Sequence, residues 1–138
     1  MNNAVFSLKQ YIFDQVTIDL SHLDKNSPLS LDINPSGTYN PQTGEYDLSF
    51  LFQVMQGQDN ENQIVSIRCV AQFIFATPVS PEEFPAMFYA NSIAILFPYV
   101  RAFVSTVTLQ ANIIPPIIIP TLNLTSLEGQ LRKNTTIK

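Results

Sequence analysis

Apolar and polar residues alternate along much of the first half of the chain. Val16, Ile18 and Leu20 alternate with Thr17 and Asp19, and Leu29, Leu31 and Ile33 alternate with Ser30 and Asp32. A period of two with one apolar face predicts half-buried strands. Tyr46, Leu48, Phe50, Phe52 and Val54 form a third such face opposite Asp47, Ser49 and Gln53. A cluster of turn formers lies just before it, Asn34-Pro35-Ser36-Gly37 followed by Asn40-Pro41-Gln42-Thr43-Gly44. The stretch from Gln56 to Gln63 has no apolar residue and reads as a loop, and Ile64 to Phe75 supplies a fourth strand rich in Val, Ile and Phe. Four strands joined by turns within residues 1–78 predict an antiparallel sheet, as a meander or a Greek key.

The pattern changes at Ser80. Ser80 and Glu83 have capping-box spacing and Pro81 stands at the first helical position, which predicts a long helix over 80–111. Pro85 is tolerable in a first turn, whereas Pro98 deep in the apolar run predicts a break or kink near Leu96 and Phe97. Beyond it Tyr99, Phe103, Val107 and Gln110 fall on one side, with Val100, Val104 and Leu109 widening the apolar surface. Residues 112–124 carry Pro115, Pro116 and Pro120, which forbid a regular helix and favour an extended crossover. Thr125 and Glu128 repeat the capping spacing and open a short final helix over 125–134, through Leu127 and Leu131. The fold class is α+β, in one domain over 1–138.

Composition sharpens this picture in one respect. Only 13% of the 138 residues are charged, against 46% hydrophobic, and the net charge is -4. Ten acids and three bases lie in residues 1–90, one acid and four bases in 91–138, and between Phe84 and Leu127 the only charge is Arg101. A second half with so little to face water calls for burial by the sheet or by a second subunit. An acidic chain with seven Lys and Arg also lacks the footprint that binds phosphate backbones, so nucleic acid is excluded as a partner. No basic and apolar leader opens the chain, and the apolar run from Ile93 to Leu109 is short for a span and interrupted by Arg101. Neither secretion nor membrane insertion is expected, and one cysteine suits a reducing, cytoplasmic compartment.

Candidate chemistry is sparse. His22 is the only histidine and Cys69 the only cysteine, so no triad and no metal cluster can be assembled, and no cofactor is expected. His22 reads as an exposed turn residue and Cys69 as a small buried apolar one. Gly37, Gly44, Gly57 and Gly129 are too scattered to cradle a phosphate. Glu82 and Glu83 read as helix-dipole residues rather than an acid pair, and the acceptor patterns at Asn123 and Asn134 as chance. The feature that remains is physical: Ile113, Ile114, Ile117, Ile118 and Ile119 among three prolines. Two readings stay open for it, a strap sealing the chain's own core and the rim of a groove for apolar segments of other chains.

The run Leu96-Phe97-Pro98-Tyr99-Val100-Arg101 resembles the LFPY-x-R pattern in the first long helix of the SecB family of export chaperones. Ile114-Pro115-Pro116-Ile117-Ile118-Ile119 is similar to that family's proline-containing crossover, and Leu122-Asn123-Leu124 before a short helix resembles its last element. The resemblance runs from about Phe6 to Lys133. It implies a four-stranded antiparallel sheet with the long kinked helix and the short C-terminal helix packed on one face, assembled as a homotetramer, a dimer of dimers. It implies an ATP-independent holdase, not an enzyme, that binds unfolded polypeptides in an apolar groove, with protein export as the expected role. Ile114, Pro115, Pro116, Ile117, Ile119, Leu122, Leu124 and Leu127 would line or shape the groove, and Phe97, Pro98, Tyr99, Arg101 and Phe103 would serve packing and assembly. Where the family carries acidic residues for docking to the SecA motor, this chain has Arg68 and Val70, which weighs against SecA as receiver. A chaperone dedicated to an antitoxin or another non-export client, and a carrier of a small apolar ligand, are the alternatives.

Overall fold

A computed structural model describes residues 5–57, 59, 61–113, 117 and 124–138. Strands β1 (Phe6–Ile18), β2 (Leu29–Asn40), β3 (Glu45–Gln56), β4 (Asn62–Phe75) and β5 (Thr135–Ile137) form one sheet in the order β1-β4-β3-β2-β5. Helices α1 (Phe88–Gln110) and α2 (Leu124–Lys133) complete the described elements. The first four strands are antiparallel in Greek-key order, since β2, β3 and β4 are consecutive neighbours and β1 lies beside β4. The expectation of a purely antiparallel four-stranded sheet is corrected by β5, which runs parallel to β2 at its outer edge.

Alternation in β3 is strict. Tyr46, Leu48, Phe50, Phe52 and Val54 are fully buried and each intervening residue is half-buried, which is how a central strand under one helical layer should read. In β1 the alternation is rephased by two irregularities, between Leu8 and Gln10 and between Phe13 and Gln15. These shifts turn Phe6, Leu8, Tyr11, Phe13, Val16 and Ile18 all to the face they share with the buried side of β4. Leu20, expected in this strand, lies beyond its end.

Two expectations about element limits are overturned. The first half of the turn cluster, Asn34 to Gly37, is not a turn: β2 continues through it, and the hairpin is made by Asn40 to Gly44. There Gly44 donates its N–H to the Asn40 carbonyl and adopts φ +77. Pro35 is harmless in β2 because odd-numbered residues of this strand turn their backbone groups away from β3. Gly37 donates its N–H to Asn134, so the position two residues earlier has no strand partner to lose. The capping box at Ser80 likewise closes only the 3-10 turn Pro81–Glu83, where Glu83 Oε1 accepts from Ser80 N at 3.0 Å and Ser80 Oγ at 2.8 Å.

Helix α1 therefore starts at Phe88 rather than at residue 80, and it runs unbroken through Pro98 instead of breaking near Leu96 and Phe97. Pro98 has no N–H for the carbonyl of Ala94, but Ala94 is exposed and water can take that role. Asn112, at φ 64, ends the helix in the left-handed conformation that asparagine tolerates. Phe88, Ile93, Leu96, Val100 and Val104 of α1 are buried, and α2 contributes Leu127 and Leu131 to the same core.

Candidate client-binding surface

Two of the expected groove residues can be placed. Ile117 is 5% exposed and Leu127 is 7% exposed, so both belong to the core. Ile117 donates its N–H to Thr108 Oγ1 at 3.3 Å, and that hydroxyl donates to the Val104 carbonyl at 2.7 Å, so a buried threonine of α1 tethers the crossover. At Ile113 and Ile117 the chain therefore acts as a strap over its own core. Ile114, Pro115, Pro116, Ile119 and Leu122 lie outside the described residues, as does the side chain of Leu124.

Exposed apolar surface collects at the two edges of the sheet. On the β2 side, Leu29 and Leu31 are 41% and 39% exposed although they face the helical side, in register with the buried Gln56 and Val54 of β3. The segment before them is held down by Gln56: its Oε1 accepts from Asp24 N at 2.8 Å, and its Nε2 donates to the carbonyls of Asp24 and Ser27. The amide thus fixes where β2 begins. Helix α2 covers the far half of β2. Leu131 is fully buried, and the Arg132 guanidinium stands 4.7 Å over the Tyr89 ring, which couples α2 to α1.

On the β1 side, the rings of Tyr11 and Tyr99 meet at 4.6 Å, tilted by 30°, and Phe13 and Phe103 stack at 4.0 Å, joining β1 to α1. Tyr99 is itself exposed, as are Val16 of β1 and Ile95 and Leu109 of α1. The assembly residues separate accordingly. Phe97 and Phe103 are half-buried against the core, whereas Pro98, Tyr99 and Arg101 face outward on α1. By length and composition α1 could cross a membrane, yet its inner side is sealed onto the sheet.

Reactive chemistry is muted at the described positions. Burial pushes the Cys69 thiol up to about 11 and makes it a poor nucleophile. His22 is exposed in a turn. Among the described residues no group of three His, Cys, Asp or Glu could hold a metal ion. On the outer face of the sheet Arg68 is paired with Asp14, donating from Nε at 2.9 Å and from Nη2 at 2.5 Å. The bonds from Arg68 hold the Asp14 carboxyl below the usual carboxylate range.

Sequence reasoning missed β5 and the β1–α1 aromatic pairs. The signal for β5 was Thr135-Thr136-Ile137, a β-branched run directly after α2. For the aromatic pairs, the shifts in β1 hide Tyr11 and Phe13 from a strict period of two.

No protein-family model matches the chain. A segment of 43 residues, 31% of this chain, is 51% identical to an uncharacterized protein of Methanocaldococcus jannaschii, MJ0357, and spans 27% of that protein's length. Among solved structures, the chain is similar to the Mycobacterium tuberculosis SecB-like chaperone Rv1957, in complex with a ChAD peptide from the HigA1 antitoxin. That likeness has a TM-score of 0.63 at 16% identity and covers 86% of this chain and 88% of the other. A protein of unknown function from Streptococcus agalactiae is similar with a TM-score of 0.50 at 14% identity, over 86% of this chain and 98% of that one. The fold is SecB-like.

Proposed function

We propose that this SecB-like chain is a nucleotide-independent chaperone that holds extended apolar segments of unfolded polypeptides. The observation that carries the reading is the exposed apolar row of Leu29 and Leu31 on the helical side of a sheet whose centre is fully sealed. Burying side chains of this size is worth about 1.5–3 kcal/mol each, less the cost of ordering the client. That balance suits reversible binding with little sequence preference.

The exposed stripe of Ile95, Tyr99 and Leu109, together with Val16, is the surface on which we place self-association into a tetramer. The chain works without cofactor or catalytic group, in the cytoplasm, as one domain over residues 1–138. A client dedicated to this chaperone, such as an antitoxin, is favoured over general export by two observations. The structural neighbour was solved with an antitoxin peptide, and the outer sheet face here carries an Arg68–Asp14 pair in place of an acidic docking patch.

The test is turbidity of a chemically unfolded protein diluted into buffer with no nucleotide, with and without this chain. Suppression is expected from the wild type, and its loss from Leu29→Asp combined with Leu31→Asp in a protein of unchanged circular dichroism. No suppression by the wild type would sink the reading. A stoichiometric lipid recovered by extraction and mass spectrometry would replace it with the carrier.

A further inference from the structure

Among the described residues the outer edge of β2 is only partly occupied. Strand β5 pairs with it at Gly37, Thr38 and Tyr39, in parallel, closed by the bond from Lys138 N to the Tyr39 carbonyl at 2.9 Å. Asn134 adds two contacts, accepting from Gly37 N at 3.2 Å and donating from Nδ2 to the Pro35 carbonyl at 3.4 Å. Every odd residue of β2 points its backbone groups to this edge, because the pairing with β3 runs without a register shift from Leu29 to Asn40. Leu29, Leu31 and Ile33 therefore present N–H and C=O groups on the same line as β5, and among the described residues no strand pairs there. Two of these three residues, Leu29 and Leu31, also carry exposed apolar side chains, and Ile33 is half-buried.

The resident strand is a weak occupant of this line. It is three residues long and parallel, and Thr136 and Ile137 are exposed. An extended segment that ran from Leu29 to Tyr39 would pair along the whole edge and cover Leu29 and Leu31 as well. On the outer face such a segment would meet Ser30, Asp32 and Asn34, with Asp32 the one charge. The fitting chemistry is a strand that alternates β-branched apolar residues, facing the leucines, with polar or basic residues, facing Asp32.

We propose that β5 is a resident strand that an extended client segment displaces from the outer edge of β2, adding itself to the sheet along Leu29 to Tyr39. The inference rests on the chaperone reading and names how the client is held. Release of β5 also loosens α2, since Thr135 Oγ1 donates to the Leu131 carbonyl at 2.6 Å and accepts from Tyr46 Oη at 2.7 Å.

A reversible lock tests it. Thr38 and Thr136 are register partners with hydroxyls 3.4 Å apart, so Thr38→Cys with Thr136→Cys can be oxidised to staple β5 in place. Cys69, buried, stays out of the exchange. The probe is a fluorescent peptide of alternating valine and lysine, long enough to span Leu29 to Tyr39. Oxidation is expected to weaken peptide binding by about tenfold or more, through the edge hydrogen bonds it withholds, and a reductant is expected to restore it. In the wild type, hydrogen exchange should show the Lys138 amide losing protection as peptide binds, while Leu31 and Ile33 gain it. Equal binding by locked and reduced forms, or an unchanged Lys138 amide in the complex, overturns the exchange. No peptide binding in a preparation that still suppresses aggregation overturns the exchange and leaves the holdase standing. A peptide-independent dimer that the lock abolishes assigns the edge to β5 of a second copy instead.

Discussion

Gly37 shows how a single residue can be set by a distant one. Tyr46, on β3 and diagonal to Gly37, is fully buried with its ring over the Gly37 backbone, and a Cβ at residue 37 would collide with Cζ and Oη. Burial holds the Tyr46 phenol far above its ordinary titration range, so it stays a neutral hydroxyl in the bond with Thr135. Gly37→Ala is expected to cost about 1–3 kcal/mol by overpacking, read as a lowered urea midpoint, with β5 the first segment to lose amide protection. Cys69 makes a second prediction. Its thiol is raised from 9.0 to about 11, chiefly by burial with the Asp14 charge adding to it. An unfolded chain releases that proton near 9.0 while the native chain keeps it, so stability is full below that pH and is lost as pH rises to about 11. Urea midpoints on either side of this window should fall in the wild type and fall less in Cys69→Ala, whereas an identical pH slope would show the thiol to be hydrated.

At the scale of elements, legibility followed how completely one physical effect governed each segment. Strands β3 and β4 were legible because one face is sealed over their length, which makes the period of two strict. The long apolar helix and the short one after the prolines were legible for the same reason. Pro35 and Gly37 misled because turn propensity was set against a strand context that sequence does not display: an outward edge for the proline and a tyrosine ring for the glycine. Of the expected groove residues, Ile117 and Leu127 are buried in the core of the single chain, while Leu29 and Leu31, on a strand whose alternation predicts a buried face, are exposed. Alternation identifies an apolar face without saying how much of the sheet the helices reach. Pro98 gives the prediction at this scale. It interrupts α1 at an exposed position without ending it, so Pro98→Ala restores a hydrogen bond to Ala94 and is expected to raise stability, by up to about 3 kcal/mol. A lowered thermal midpoint would show instead that the pyrrolidine ring packs against another subunit.

For the whole molecule, the proposed function divides the work between the two edges of the sheet, with β1 and the outward stripe of α1 on one side and β2 with α2 on the other. The separation predicts that the two surfaces can be disabled independently. Tyr99→Asp with Leu109→Asp is expected to reduce the mass found by light scattering to that of one chain, with far-ultraviolet circular dichroism unchanged. A variant that keeps the wild-type mass would place self-association elsewhere. The β5 strand carries a consequence in time as well as in space. Thr136 meets Thr38 across 98 positions of sequence, so a nascent chain can close the β2–β3 hairpin long before the segment that borders it has left the ribosome. Contacts of such separation form late, and until they do β5 does not pair with the edge at Gly37, Thr38 and Tyr39. A chain built in this order passes through a stage in which the Gly37–Tyr39 edge of its sheet is itself an aggregation hazard, and β5 is the segment whose synthesis covers it.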